Sequence, residues 1–166
     1  MASKKKSSLD WPLLVALVLV CELAGIIGGL ATFSAVQDWY PTLIKPSFNP
    51  PAWVFAPVWT VLYALMGISA YLVVKKGFAK PEVRFALVIF ALQLIINVKW
   101  SLLFFGLRSI TGGLLTIVVL EALVLLTAWK FWKLDKNAGY LLVPYVLWVA
   151  FATLLNFALW QLNPGM

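Results

Sequence analysis

Apolar positions dominate this chain in five long runs, and the polar residues inside those runs recur at helical spacing. The runs cover about residues 11–36, 53–74, 83–105, 113–132 and 140–161. Each is ~20 residues or longer, the length an α-helix needs to cross a hydrocarbon core of ~30 Å. The pattern predicts an all-α membrane protein, one domain folded as a five transmembrane helix bundle.

Three runs carry aromatic-plus-amide stripes. Trp59 and Tyr63 are four apart. Gln93, Asn97 and Ser101 follow at i, i+4, i+8, with Trp100 adjacent. Trp148, Ala152 and Asn156 repeat that spacing after Pro144 and Tyr145. Residues so spaced share a helix face. An amide in lipid is costly unless it faces protein or a cavity. One amide alone is accounted for by a cross-helix hydrogen bond. Three matched stripes point instead to a ligand pocket inside the bundle.

The first run holds Gly25-x-x-x-Gly29, flanked by Ala24 and Gly28. Small residues at this spacing let helices approach closely, either within the chain or across a homodimer. Glu22 lies in the same run, where it must be protonated, paired or turned toward a wet cavity. The following loop, residues 37–51, carries Pro41, Pro46, Pro50 and Pro51 among Trp39, Tyr40 and Phe48. It reads either as an interfacial connector or as a pocket lid, with Trp39, Tyr40 and Pro46 in the closing part. Pro57 is expected to kink or unwind the first turns of the second helix.

Gly106–Gly112 forms a short turn, so the third and fourth helices are antiparallel neighbours. Lys99, two residues from Asn97, points away from the amide stripe. It can snorkel to the interface or pair with Glu121 on the next helix. An ion pair between Lys99 and Glu121 is the expectation.

Composition agrees with the pattern: 63% of the 166 residues are hydrophobic, and mean hydropathy is +0.96. A net charge of +7 raises nucleic acid as a partner, but its distribution argues against that. Lys4–Lys6, Lys75, Lys76, Lys80 and Arg84 fall at one end of a five-span bundle, as do Lys130, Lys133 and Lys136. Only Lys45 and Arg108 flank the other end. The bias places the N-terminus in the cytoplasm and the C-terminus outside, and it favours anionic lipid. The Lys4–Lys6 cluster before an apolar run also resembles a signal peptide, but the run is too long and four more spans follow, so it reads as a retained helix. No histidine and a single cysteine, Cys21, exclude His-based metal sites and triads, CxxC pairs and disulfides. No metal and no cofactor is expected.

Three colinear blocks resemble one family. The first runs Trp39-Tyr40-x-x-Leu43-x-Lys45-Pro46-x-Phe48-x-Pro50-Pro51-x-Trp53 and on through Val58-Trp59-x-x-Leu62-Tyr63-x-x-Met66-Gly67. The second is Gln93-x-x-x-Asn97-x-x-Trp100-Ser101-x-x-Phe104-Phe105. The third is Pro144-Tyr145-x-x-Trp148-x-x-Phe151-Ala152-Thr153-x-Leu155-Asn156. Together they resemble the tryptophan-rich sensory protein and mitochondrial translocator family, TspO/MBR, also known as peripheral-type benzodiazepine receptors. The resemblance implies a five-helix membrane protein, commonly dimeric, that binds porphyrins and synthetic isoquinoline or benzodiazepine ligands, with links to sterol binding and tetrapyrrole stress responses. It implies that Trp59, Asn97, Trp148 and Ala152 are pocket residues, with Trp53, Tyr63, Trp100 and Asn156 beside them. Trp59 and Trp148 would then face one pocket with Asn97 between them. The family's sterol pattern needs a Tyr followed by Lys or Arg, whereas Phe157 and Gln161 stand here, which weakens that expectation.

The leading expectation is a tetrapyrrole-binding sensor or translocator in a prokaryotic inner membrane. One alternative is a light-dependent porphyrin-degrading enzyme using Trp59 and Trp148, since no acid–base pair is present. Another is a structural, lipid- or sterol-organising membrane protein.

Overall fold

A computed structural model describes residues 9–164; the Lys4–Lys6 cluster lies outside them. Five helices follow in order: α1 Trp11–Asp38, α2 Phe55–Val74, α3 Pro81–Ser101, α4 Ile110–Leu134 and α5 Lys136–Leu162. All five are long and apolar enough to cross a membrane, which bears out the predicted bundle. Around the bundle they pack in the ring order α1, α2, α5, α4, α3.

Capping residues fix the starts of α1, α4 and α5, and α4 and α5 begin ahead of their apolar runs. Asp10 accepts from Leu13 N at 3.2 Å, with Pro12 in the first turn of α1. Ser109 accepts from Gly112 N at 3.1 Å, so α4 begins three residues before the predicted Gly113 and absorbs the last three residues of the expected 106–112 turn. Arg108 makes the reversal with φ 54°, the left-handed region a non-glycine residue rarely adopts. Its guanidinium pairs with Asp38 at 2.8 Å. Before the turn, Leu102–Gly106 winds as a π-helical turn. Pro57 sits in the first turn of α2, where its missing N–H costs nothing. The expected distortion appears just before it, as a 3-10 turn over Ala52–Val54.

α1 buries only small residues, Cys21, Ala24, Gly28 and Ala35, while Leu19, Leu30 and Phe33 face outward. Lipid is as apolar as leucine, so close backbone packing, not burial of large side chains, holds such a helix. A Cβ on Gly67 of α2 would sit 2.5 Å from Val18 Cα, and one on Gly25 would sit 2.5 Å from the Tyr63 ring. Gly25 therefore serves packing within the chain. Gly29 has nothing within 4 Å of its Cβ position. The two halves of the glycine motif do different things.

Asp135 alone separates α4 from α5. It caps α5 by accepting from Asn137 N at 2.9 Å and Ala138 N at 3.1 Å, and it pairs with Lys76 at 2.6 Å. Burial alone would raise its pKa. The hydrogen bond and charge of Lys76, together with the two amides, outweigh burial and hold it below its ordinary 3.8. A depressed carboxylate pKa stabilises the fold above that ordinary value and ceases to do so as pH falls through the folded-state value. Thermal unfolding in detergent should therefore show stability falling below about pH 4 in the wild type. Asp135→Asn should flatten that slope. An unchanged slope would assign the acid sensitivity elsewhere.

The expected Lys99–Glu121 ion pair does not form. Lys99 is exposed on the side of α3 opposite its buried stripe, and Glu121 is half-buried with Oε2 lacking a hydrogen-bond partner. Lys99 lies seven residues before Gly106 and Glu121 eleven after Ile110. At 1.5 Å per residue the carboxyl is about 6 Å deeper in the hairpin.

Candidate functional site

α1 and α2 touch closely where Gly67 meets Val18 and again where Gly25 meets Tyr63. Toward the end carrying the 39–51 loop they leave between them a cavity of about 470 Å³. One wall is a single stripe of α1, running from Glu22 through Gly25 and Gly29 to Phe33. The opposite wall is aromatic, with Phe55, Trp59 and Tyr63 from α2 and Trp100 from α3. Phe104 and Phe105 close the α3 side. Both can face inward because the π-helical turn widens the helix at their position. Ala152 and Asn156 of α5 form part of the lining, and the small Ala152 side chain leaves room. Ile26 and Phe33 on α1, with Ala56 and Thr60 on α2, are exposed lining residues. The mouth thus opens on the flank of the bundle, between these two helices.

The rings are held in fixed contact. Trp59 stacks on Tyr63 with centroids 5.5 Å apart and planes 29° apart, and it meets Trp100 at 6.4 Å. Trp100 stacks on Phe104 at 5.7 Å. Asn156 accepts from Trp100 Nε1 at 3.2 Å and donates to Ile110 O at 3.2 Å, so its amide positions the indole.

Behind this wall runs a buried polar chain. Tyr63 Oη donates to Asn97 Oδ1 at 2.5 Å, Asn97 Nδ2 to Tyr145 Oη at 3.0 Å, and Tyr145 Oη to Gln93 Oε1 at 2.7 Å. Gln93 Nε2 ends the chain near Met66 Sδ at 3.7 Å. The chain ties α2, α3 and α5 together. Two amides of the α3 stripe are engaged here, and Ser101 alone of the three lines the cavity.

Of the expected pocket residues, the fold brings Trp59, Tyr63, Trp100, Ala152 and Asn156 to one cavity. Asn97 is one layer behind, bonded to the Tyr63 hydroxyl. Trp53 is 75% exposed and lines no part of the cavity. Trp148 turns to a separate apolar groove beside Pro57 and Pro144. Its Nε1 has no partner, and its ring packs on Phe55 at 5.9 Å and Phe151 at 5.7 Å. Spacing of i, i+4, i+8 drifts by about 80° over two turns, enough to carry Trp148 off the face of Asn156. Trp59 and Trp148 therefore do not share one cavity; Phe55 stands between them.

Of the lid residues, Tyr40 roofs the cavity. Burial pushes its phenol up to about 12, against the opposing hydrogen bond to Asn49 at 2.6 Å. Trp39 packs edge-on to Phe104 at 5.5 Å, outside the lining, and Pro46 lies elsewhere in the loop. The loop is latched to the end of α5. Asn163 Oδ1 accepts from Ile44 N at 2.9 Å, while its Nδ2 donates to Ile44 O at 2.9 Å. Phe55, Phe104, Phe105 and Gly29 are lining residues that the stripes alone did not single out. For Gly29 the signal was present, as a glycine two turns from Glu22 on one face.

The sequence model of the TspO/MBR family matches residues 17–161. Tryptophan-rich protein TspO of Chlorobaculum tepidum is 45% identical over 145 residues, 87% of this chain and 92% of that protein. Protein CrtK of Rhodobacter capsulatus is 40% identical over 89% of this chain and 90% of its own length. The translocator protein of Bos taurus is 36% identical over 92% of this chain and 91% of its own. With five spanning helices and a family match over nearly its whole length, the chain belongs to the TspO/MBR family of sensory and translocator membrane proteins.

Proposed function

We propose that this protein binds a tetrapyrrole in the α1–α2 cavity, with the macrocycle lying against Trp59. The observation that carries the reading is the aromatic wall, in which Trp59 stacks on Tyr63 and leans on Trp100 around about 470 Å³ of space. That volume falls within the ~300–1,000 Å³ of small-molecule sites. A flat conjugated ring gains most from such a surface. Membership of a family whose members are named as sensory and translocator proteins supports it.

The test is a porphyrin titration followed by tryptophan quenching in detergent. Trp59→Phe should weaken binding about 10-fold, because a phenyl ring offers the macrocycle a smaller stacking face than the indole. Trp148→Phe should change it less, because Trp148 acts only through Phe55. Equal affinities in wild type and Trp59→Phe would overturn the reading. Contact of Trp59 with both Tyr63 and Trp100 also supports a second reading, light-driven degradation of the bound porphyrin. Products formed in light and absent in darkness would select it.

The same reading places the protein in a prokaryotic inner membrane with the basic end in the cytoplasm. In a Cys21→Ala background, a cysteine at Ala79 should resist impermeant labelling from outside intact cells. Rapid labelling there would reverse the topology.

A further inference from the structure

Most polar atoms in the cavity wall are engaged within the protein. Tyr63 Oη donates to Asn97, Tyr40 Oη to Asn49 and Trp100 Nε1 to Asn156. Thr32 Oγ1 bonds Gly28 O, and Thr60 Oγ1 bonds Ala56 O. Glu22 differs. It lines the cavity at the far end of the α1 stripe from the loop, and it makes no hydrogen bond or ion pair with the described residues. Among the described residues no Lys or Arg lines the cavity. A carboxyl in a low-dielectric site without a partner is costly. A ligand that brings a donor removes that cost; a ligand that brings a second carboxylate there adds to it.

We propose that Glu22 is a specificity-determining ligand contact that selects planar ligands carrying an N–H donor or a protonated nitrogen at the end of the cavity farthest from the 39–51 loop and excludes carboxylates from it. Where the ligand is a tetrapyrrole, this rests on the reading above. Because the ring nitrogens point to the macrocycle centre, the selection acts on the substituents at its edge, drawing basic ones toward Glu22 and turning acidic ones away from it. The selection itself depends only on the cavity and the carboxyl, so it extends to other flat nitrogen bases.

The experiment uses two matched probe pairs, titrated by tryptophan quenching in one nonionic detergent. The first pair is a porphyrin dimethyl ester and the bis(aminoethyl)amide of the same porphyrin. The second is anthracenemethanol and 9-aminoacridine. Micelle partitioning acts equally on wild type and variant, so it cancels from their ratio. Glu22→Gln should weaken the cationic member of each pair about 10-fold, the size of a charge-assisted hydrogen bond. It should leave the neutral member within about twofold. Retained binding of the neutral members reports that the variant is folded. Glu22→Asp, which keeps the charge, should retain a preference for the cation. If the porphyrin pair does not bind wild type saturably but the acridine pair shows the Glu22 effect, the tetrapyrrole reading fails and the Glu22 assignment stands. If wild type and Glu22→Gln give the same cation-to-neutral ratio in each pair that binds, or if neither pair binds wild type, the assignment is overturned.

Discussion

Gly29→Leu should abolish ligand binding while leaving the protein as stable as the wild type or more so. A side chain at Gly29 meets nothing within 4 Å, because the residue opens onto the cavity. Leucine also favours the helix over glycine by up to ~1 kcal/mol. Its isobutyl group would lie in the space a ligand needs, so porphyrin affinity should fall by at least about 100-fold, the equivalent of ~3 kcal/mol. Gly25→Leu, one turn away, should instead destabilise the fold. Its Cβ would lie 2.5 Å from the Tyr63 ring, and overpacking of this kind costs about 1–3 kcal/mol. Thermal unfolding and quench titration of both variants check the pair. Full-strength binding by Gly29→Leu would mean the ligand does not occupy this cavity.

Tyr145→Phe should be the most destabilising conservative change in the bundle, at about 2–4 kcal/mol for two buried polar groups left unmatched. The lost hydroxyl is the acceptor for Asn97 Nδ2 and the donor to Gln93 Oε1, all in the fully buried centre. Membrane hydrogen bonds often measure weaker because the unfolded chain in lipid also finds partners; two simultaneous losses keep this one large. Tyr63→Phe removes only the donor to Asn97 Oδ1 and should cost about half as much. Reversible unfolding in mixed micelles would compare the two. Equal costs would mean that the chain through Gln93 contributes little.

The five spans were legible because a membrane demands ~20 apolar residues in a row, a signal stronger than any capping detail. The ends were less so. Ser109 and Asp135 each start a helix inside what hydropathy alone reads as a turn. The amide stripe on α3 was visible, but spacing could not say whether Asn97 would face a ligand or a tyrosine hydroxyl. That depended on Tyr145, which reaches it from α5. Trp148 was misplaced because two turns of helix accumulate an angle that a large indole amplifies. A Lys99–Glu121 pair needs the two residues at similar depth in the hairpin, and the early start of α4 sets Glu121 deeper. Phe104 and Phe105 owe their common direction to a π-helical turn, for which no residue in Leu102–Gly106 is a reliable marker.

With the Asn163 amide holding the roof loop to α5 and the mouth between α1 and α2, a ligand of this cavity is expected to arrive by diffusing within the bilayer. The concentration that governs occupancy is then its mole fraction in the lipid. A bulk dissociation constant will rise in proportion to the amount of detergent or lipid in the sample. Two preparations of the same protein will agree only when their affinities are expressed per mole of surrounding amphiphile.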